Sequence, residues 1–393
     1  MYVECHLLQN FAPSNLNRDD AGSPKDVMFG GYRRGRISSQ CLKRAIRLAF
    51  RLDATIAPEL IGTRTKRLAA EIAGHLVQLG KPEDRVAAVV AVALSSAGLK
   101  VVDGGKTQYL LYLGKPEIDH LTQLCEKHWD TLVALVIANA TAVGASHEGE
   151  RGKTKKPKTE RTLAPEIARE FQGFLNGGGR AIDIAMFGRM LADLPQKNVE
   201  AACQVAHAVS TNKMDVDFDF YTAVDDLRPD DTAGADMIGT VELDSPCFYR
   251  YSNVNVDELT RNLGGDADAG RIALEAYLRA VIAAVPNGKQ NGTAAQNPPS
   301  LILFVVRKHG LWSLANSFVK PITPEKGGDL VGLSVQALDR YWGDLAAMYG
   351  TKALVGTYLC VLGNPALSHL NEARVPNVEK LVTLTVNSAF PMA

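Results

Sequence analysis

An α+β fold, a βαββαβ sheet with helices on one face, follows from three features of the chain. Tyr2–Gln9 has strand composition, and after a polar loop a helix can start at Ser38 or Ser39 and run to about Leu52. Asp268–Val285 sets Leu274, Leu278, Val281, Ile282 and Val285 at helical spacing. Leu301–Val306 is a continuous apolar run between Pro298-Pro299 and Arg307-Lys308, as a buried strand requires. A strand–helix start and a helix–strand finish, parted by insertions, match that order. With 393 residues, 46% hydrophobic and 22% charged, the chain can build a large packed interior.

The elements follow in order. The opening strand gives way to an Asn/Asp/Pro-rich loop reaching Asp26 and then to the Gly- and Arg-rich stretch Phe29–Arg36. From Asp53 to about Arg169 the pattern is mostly helical, with Ala- and Leu-rich segments at Lys66–Leu79, Glu83–Ser96 and Ile118–Ala138. Arg151–Lys158 is a basic run with nothing apolar to bury, which predicts a mobile loop. The breaker Asn176–Arg180 marks the return to the core, so residues 53–179 read as an insertion between 1–52 and 180–393. In His207–Tyr251, Asp215, Asp217 and Asp219 alternate with Val216, Phe218 and Phe220, giving a strand one acidic and one apolar face. Arg228–Ala235 then turns and Met237–Leu243 returns, which predicts a projecting hairpin.

Charge limits the partners. Lys+Arg and Asp+Glu are both 43, so a polyanion ligand would need its cations gathered locally. Between Met1 and Arg51 nine Lys/Arg stand against four Asp/Glu. On the predicted helix Gln40, Lys43, Arg44, Arg47 and Arg51 share one face, while Leu42, Ala45, Ile46, Ala49 and Phe50 share the other. A cationic row of this kind can meet successive phosphates of one strand, and the helix start adds free N–H groups. The six cysteines are scattered without C-x-x-C spacing, which gives little support to a zinc or disulfide framework and suits a reducing cytoplasm. Met1–Gln9 carries Glu4 and His6 without a basic n-region, so no secretory leader is expected. The most apolar run, Val86–Leu94, is too short to span a bilayer.

Several motifs then line up with one family. Asn17–Asp20, Phe29–Gly31, Arg33-Arg34, Arg36–Gln40 and Leu42–Ala45 resemble the repeated backbone subunit of type I-E CRISPR Cascade, the CasC family. The likeness continues through Gly188–Met190, Ala206–Ala208, Thr222–Leu227, Phe248–Tyr251, Asn262–Gly265, Pro286–Gln290, Asn297-Pro298 and Ser313–Asn316. It implies an RRM-like (ferredoxin-like) palm, helical fingers in the insertion and a thumb in the 207–251 hairpin. It also implies a filament of identical subunits on crRNA, other Cascade subunits and target DNA as partners, and no catalysis or cofactor. Carried over by motif, the crRNA contacts would be Arg18, Lys25, Ser38, Gln40, Lys43 and Arg47. Met190 would wedge against a base, and Tyr221, Thr222, Val224 and Ile238 would shape a kink at the thumb. Contacts of this kind suit a guide of any sequence, because reading is left to base pairing.

Three other signals point elsewhere. Asp225-Asp226 resembles a metal pair, but neighbours on a strand face opposite ways and no third ligand stands at a suitable spacing. His6, His207 and Lys43 could serve a crRNA-processing ribonuclease of related fold, the alternative function. A His in an apolar strand is more often a core residue. Pro286–Thr293 lacks the order of a P-loop.

Overall fold

The computed structural model describes residues 1–52, 56–102, 104–144, 161–175, 181–223, 237–325 and 328–391. The chain forms two compact units. One contains Met1–Thr55, Ala202–Thr260 and Ala267–Ala393, the other Ile56–Ala201 and Arg261–Asp266.

The first unit opens with β1 (Tyr2–Asn10), whose residues from Val3 to Gln9 are buried on both faces. A hairpin follows, β2 (Asp26–Phe29) and β3 (Tyr32–Ile37), turning at Gly30-Gly31. Both glycines have positive φ, and a Cβ on Gly30 would lie 2.1 Å from the Val319 carbonyl oxygen. Helix α1 (Ser39–Phe50) is capped by Ser38, whose hydroxyl oxygen accepts the Cys41 N–H. Leu42, Ala45, Ile46 and Phe50 are its buried face, as the spacing predicts.

The second unit contains β4 (Thr63–Thr65), α2 (Leu68–Gln78), α3 (Glu83–Ser96), β5 (Val101–Val102), β6 (Lys106–Thr107) and β7 (Leu111–Leu113). It continues with α4 (Lys115–Lys127), α5 (Trp129–Gly144), α6 (Pro165–Gln172) and α7 (Ile182–Phe187). Its core joins Leu68, Ile72 and Leu76 of α2 to Val86, Val90 and Leu94 of α3, with Leu121 and Phe171. The Ala- and Leu-rich segment Ile118–Ala138 is divided between two helices, because α4 ends in a cap at His128. The unit also runs past residue 180, where a return was expected, to Ala201. Arg151–Lys158 and Asn176–Arg180 lie outside the described residues.

The first unit resumes with β8 (Cys203–Val205), β9 (Ala208–Ser210), β10 (Asp217–Ala223), β11 (Met237–Leu243) and β12 (Cys247–Asn255). Then come α8 (Val256–Asn262), α9 (Ala267–Ala283), α10 (Gln290–Thr293), β13 (Leu301–Arg307), α11 (Leu330–Tyr349), β14 (Leu354–Val361) and α12 (Val378–Ala389). The main sheet has the order β14-β13-β1-β12-β9-β3-β2, with β8 also paired to β12, and every pairing is antiparallel.

Helices cover both faces of this sheet, not one as the sequence suggested. Alternate residues decide the sides. Leu7 and its partner Arg250 face α9, where Arg250 donates to the Val281 carbonyl at 2.8 Å. Leu8, Tyr249, Leu303 and Val305 face the other way and pack on Phe318 and on Val335, Leu338 and Trp342 of α11. Burying each such side chain is worth about 1.5–3 kcal/mol, which makes α11 a full second layer. On this side Glu4 forms an ion pair with the buried Arg307 at 2.6 Å and accepts from the Trp312 N–H and the Tyr251 hydroxyl. Among the described residues no helix is long and apolar enough to cross a membrane.

Candidate nucleic-acid interface

The cations of the N-terminal segment converge through backbone pairing. Asn17 holds the segment together: its side-chain oxygen accepts the Ser38 N–H at 2.8 Å and its carbonyl accepts the Lys25 N–H at 2.8 Å. The Lys25 carbonyl in turn accepts the Arg36 N–H at 2.8 Å. Arg18 bridges to Pro24 across a turn closed by Asp19, whose carboxylate accepts the Ala21 and Ser23 N–H groups. Lys25 and the start of α1 therefore share one edge, with Arg18 on the adjoining turn. Along α1, Gln40, Arg44 and Arg51 are exposed while Lys43 and Arg47 are half-buried at the margin. Lys43 leans toward β8, close enough to bias the buried Cys203 thiol downward against the larger upward push of burial. The Ser38 oxygen is committed to the cap, so what remains for a ligand is its O–H.

The arginines of β3 part company. Arg33 is exposed and pairs with Asp26 at 2.8 Å. Arg34 is fully buried, and its guanidinium donates to the carbonyls of Ser210 (2.8 Å), Thr211 (3.0 Å), Phe318 (2.6 Å) and Val319 (3.1 Å). It clamps three segments and faces no ligand. Arg36 donates through Nε to the Asp26 carbonyl at 3.0 Å, and its Nη1 lies 3.2 Å from Nδ1 of the exposed His207. The sequence pattern assigned neither Arg36 nor His207 to the interface. The signal for Arg36 was its place at the head of the Arg36–Gln40 motif, between Lys25 and Ser38.

The hairpin β10–β11 is a two-stranded ribbon with every residue of β10 exposed. One face carries Phe218, Phe220 and Thr222 opposite Glu242, Thr240 and Ile238. The other carries Asp217, Asp219 and Tyr221 opposite Leu243, Val241 and Gly239. The acidic and apolar alternation is present, but neither face is buried, and Asp215 precedes the strand. Tyr221 lies over Gly239, where a Cβ would sit 2.3 Å from the ring. Thr222 stands opposite Ile238, so these three predicted thumb residues fall together at the far end of the described ribbon. Val224 and Asp225-Asp226 lie outside the described residues. At the base, Asn15 donates to the Glu242 carbonyl at 3.0 Å, and Ser14 and Asp244 exchange backbone bonds. The Asp244 carboxyl is buried there and pushed up to about 7 by loss of water.

Met190 belongs to the second unit and is 80% exposed. It is thrust out by a rigid turn. Gly188 takes φ +75°, with Val199 and Ala201 too close for any side chain there. Arg189 is buried against Glu117 at 2.8 Å, and the Leu191 N–H donates to the Asn198 side chain at 2.7 Å.

His6 is fully buried beside Tyr249, whose hydroxyl lies 2.8 Å from Nδ1, and burial lowers its pKa to about 3. His6 is thus sealed in the core while His207 is on the surface, so the set His6, His207 and Lys43 offers no shared reaction centre to RNA. Among the described residues no group of three or more His, Cys, Asp or Glu side chains could hold a metal ion.

Residues 3–386 match the family described as CT1975-like protein. A chain of a "CRISPR RNA-guided surveillance complex, pre-nicking" is 32% identical, with a TM-score of 0.82, covering 99% of this chain and 100% of that one. A chain of another "CRISPR RNA-guided surveillance complex" is 28% identical, with a TM-score of 0.71 and the same coverage. No curated protein matches.

Proposed function

The chain belongs to the CT1975-like protein family, and from that membership we infer that it is the crRNA-binding backbone subunit of a Cascade-type surveillance complex. It lines up in copies along the guide and presents it to target DNA in antiviral defence, alongside other Cascade subunits. The observation that carries this reading is the end-to-end likeness, at 32% identity, to a chain of an RNA-guided surveillance complex.

The geometry supports a scaffold role. Arg18, Lys25, Ser38, Gln40, Lys43 and Arg47 offer sugar–phosphate contacts along one edge and the first helix, a pattern indifferent to base sequence. The antiparallel sheet serves as an RRM-like palm in which α11 occupies the face that a free RRM sheet would offer to bases. RNA is therefore held at the edge and by α1. The second unit acts as the fingers and presents Met190 as an apolar wedge, which tolerates every base. The ribbon acts as the thumb. Phe218 and Phe220 are 69% and 71% exposed on it, and a two-stranded ribbon is marginal alone, so it gains by lying against a neighbour. In this reading the chain does no chemistry on RNA, and the separation of buried His6 from exposed His207 supports it.

Co-expression with a CRISPR array followed by electron microscopy and nuclease footprinting tests the reading. Regular assemblies with protected RNA are expected. Cleavage of repeat RNA by the pure protein would establish the ribonuclease instead.

A further inference from the structure

Arg36 and His207 meet on the surface in an arrangement of two bases with no acid between them. Arg36 sits in β3, with its backbone paired to β9 at Val209 and its Nε tied to the Asp26 carbonyl. His207 lies between β8 and β9, in a segment held by the Ala206 N–H bond to the Tyr251 carbonyl at 2.9 Å. A guanidinium has no acceptor, so in the 3.2 Å contact Arg36 must donate and His207 Nδ1 must accept. That contact selects the tautomer with its proton on Nε2, a donor free of the Arg36 contact. The charged groups facing the ring are Arg36 from β3 and Lys25 from the segment before β2. The Asp26 carboxylate, at the start of β2, is engaged by Arg33 at 2.8 Å. Burial, then Arg36, then Lys25 hold the imidazole below its ordinary pKa, so near neutral pH it is uncharged.

We propose, resting on the RNA-binding reading above, that Lys25, Arg36 and His207 form a subsite for one RNA phosphodiester whose occupation draws a proton onto His207. The neutral ring first donates from Nε2 to a phosphate oxygen. The phosphate charge offsets Arg36 and Lys25, removing the repulsion that kept the ring neutral. A proton from solvent then adds to Nδ1, which can no longer accept from Arg36. The Nη1–H of Arg36 is released and turns to the same phosphate. Two cationic donors, the imidazolium and Arg36, then serve the phosphate where the neutral imidazole alone of the pair had done so, at a contact that reads no base.

Binding of a labelled single-stranded RNA to the full chain, measured at about pH 6 and pH 8, tests this. If RNA raises the His207 midpoint by about one unit, affinity should be about threefold to sixfold tighter at the lower pH. His207→Gln should lose most of that ratio. Lys43→Gln should weaken binding at both pH values and keep the ratio. The imidazole resonance of His207, followed by NMR, should titrate about one unit higher with RNA than without. An undiminished ratio in His207→Gln, or a midpoint unmoved by RNA, overturns the subsite and leaves the RNA-binding reading intact. Absence of RNA binding by the wild-type chain at either pH sinks that reading and the subsite together.

Discussion

Replacing Arg34 tests whether the Gly/Arg-rich stretch is a ligand surface throughout or divided between ligand and frame. Arg34→Met keeps similar length and volume, removes the charge and deletes all four donors to Ser210, Thr211, Phe318 and Val319. The Thr211 carbonyl keeps the Ile322 N–H at 2.8 Å, while the carbonyls of Ser210 and Phe318 lose this donor at a cost of about 1–3 kcal/mol each. Escape of the Val319 carbonyl to water and relief from burying a guanidinium offset part of this. A net loss of roughly 2–4 kcal/mol remains, a large share of the 5–15 kcal/mol typical of a domain. Arg34→Lys supplies a compact ammonium with three donors and cannot span four carbonyls, so about half that loss is expected. Urea titration followed by tryptophan fluorescence should show both losses, in the order Met greater than Lys. RNA affinity measured below the unfolding range should stay near wild type, with an unchanged salt slope. A variant of wild-type stability whose salt slope falls by about one would refute the argument, because Arg34 would then be holding a phosphate.

Other outcomes follow from the same geometry. The Asp244 carboxyl titrates near 7 in the fold and about 3.9 when unfolded, so its protonated form is the one the fold favours. Its contribution is complete below about pH 4 and lost as pH rises through 7, a fall of roughly 2–4 kcal/mol. Asp244→Asn should flatten that decline and exceed wild type in melting temperature at pH 8; an identical pH profile would refute the assignment. Lys43→Glu with Arg47→Glu should weaken binding alike for every spacer and flatten the salt dependence by about one unit for each phosphate no longer neutralised, so an unaltered slope removes α1 from the interface. Met190→Ala with Thr222→Ala should melt as the parent does, yet lose the periodic exposure of bases along bound crRNA in chemical probing. Base-wedging contacts are worth roughly 1–3 kcal/mol each and recur along a filament, so retention of the full pattern would end the wedge model.

What the sequence determined by itself is what short-range geometry controls. The period of α1 set Leu42, Ala45, Ile46 and Phe50 inward, and Ser38 stood where a cap was needed. The apolar run of β13 announced a buried strand, and the alternation of β10 announced a ribbon. Each is a pattern whose meaning lies within one or two turns of chain. The tertiary structure decided the rest. Arg33, Arg34 and Arg36 look alike in sequence, yet only Arg34 is buried, because its acceptors come from positions 176 to 285 residues away. His6 and His207 were equal candidates until β12 and the segment at Leu314 enclosed one of them. The second helical layer came from α11, whose partners in the centre of the sheet, Leu8 and Tyr249, lie far away in the chain. Burial and pairing of a polar side chain depend on which distant backbone reaches it, and a local pattern holds no record of that distance.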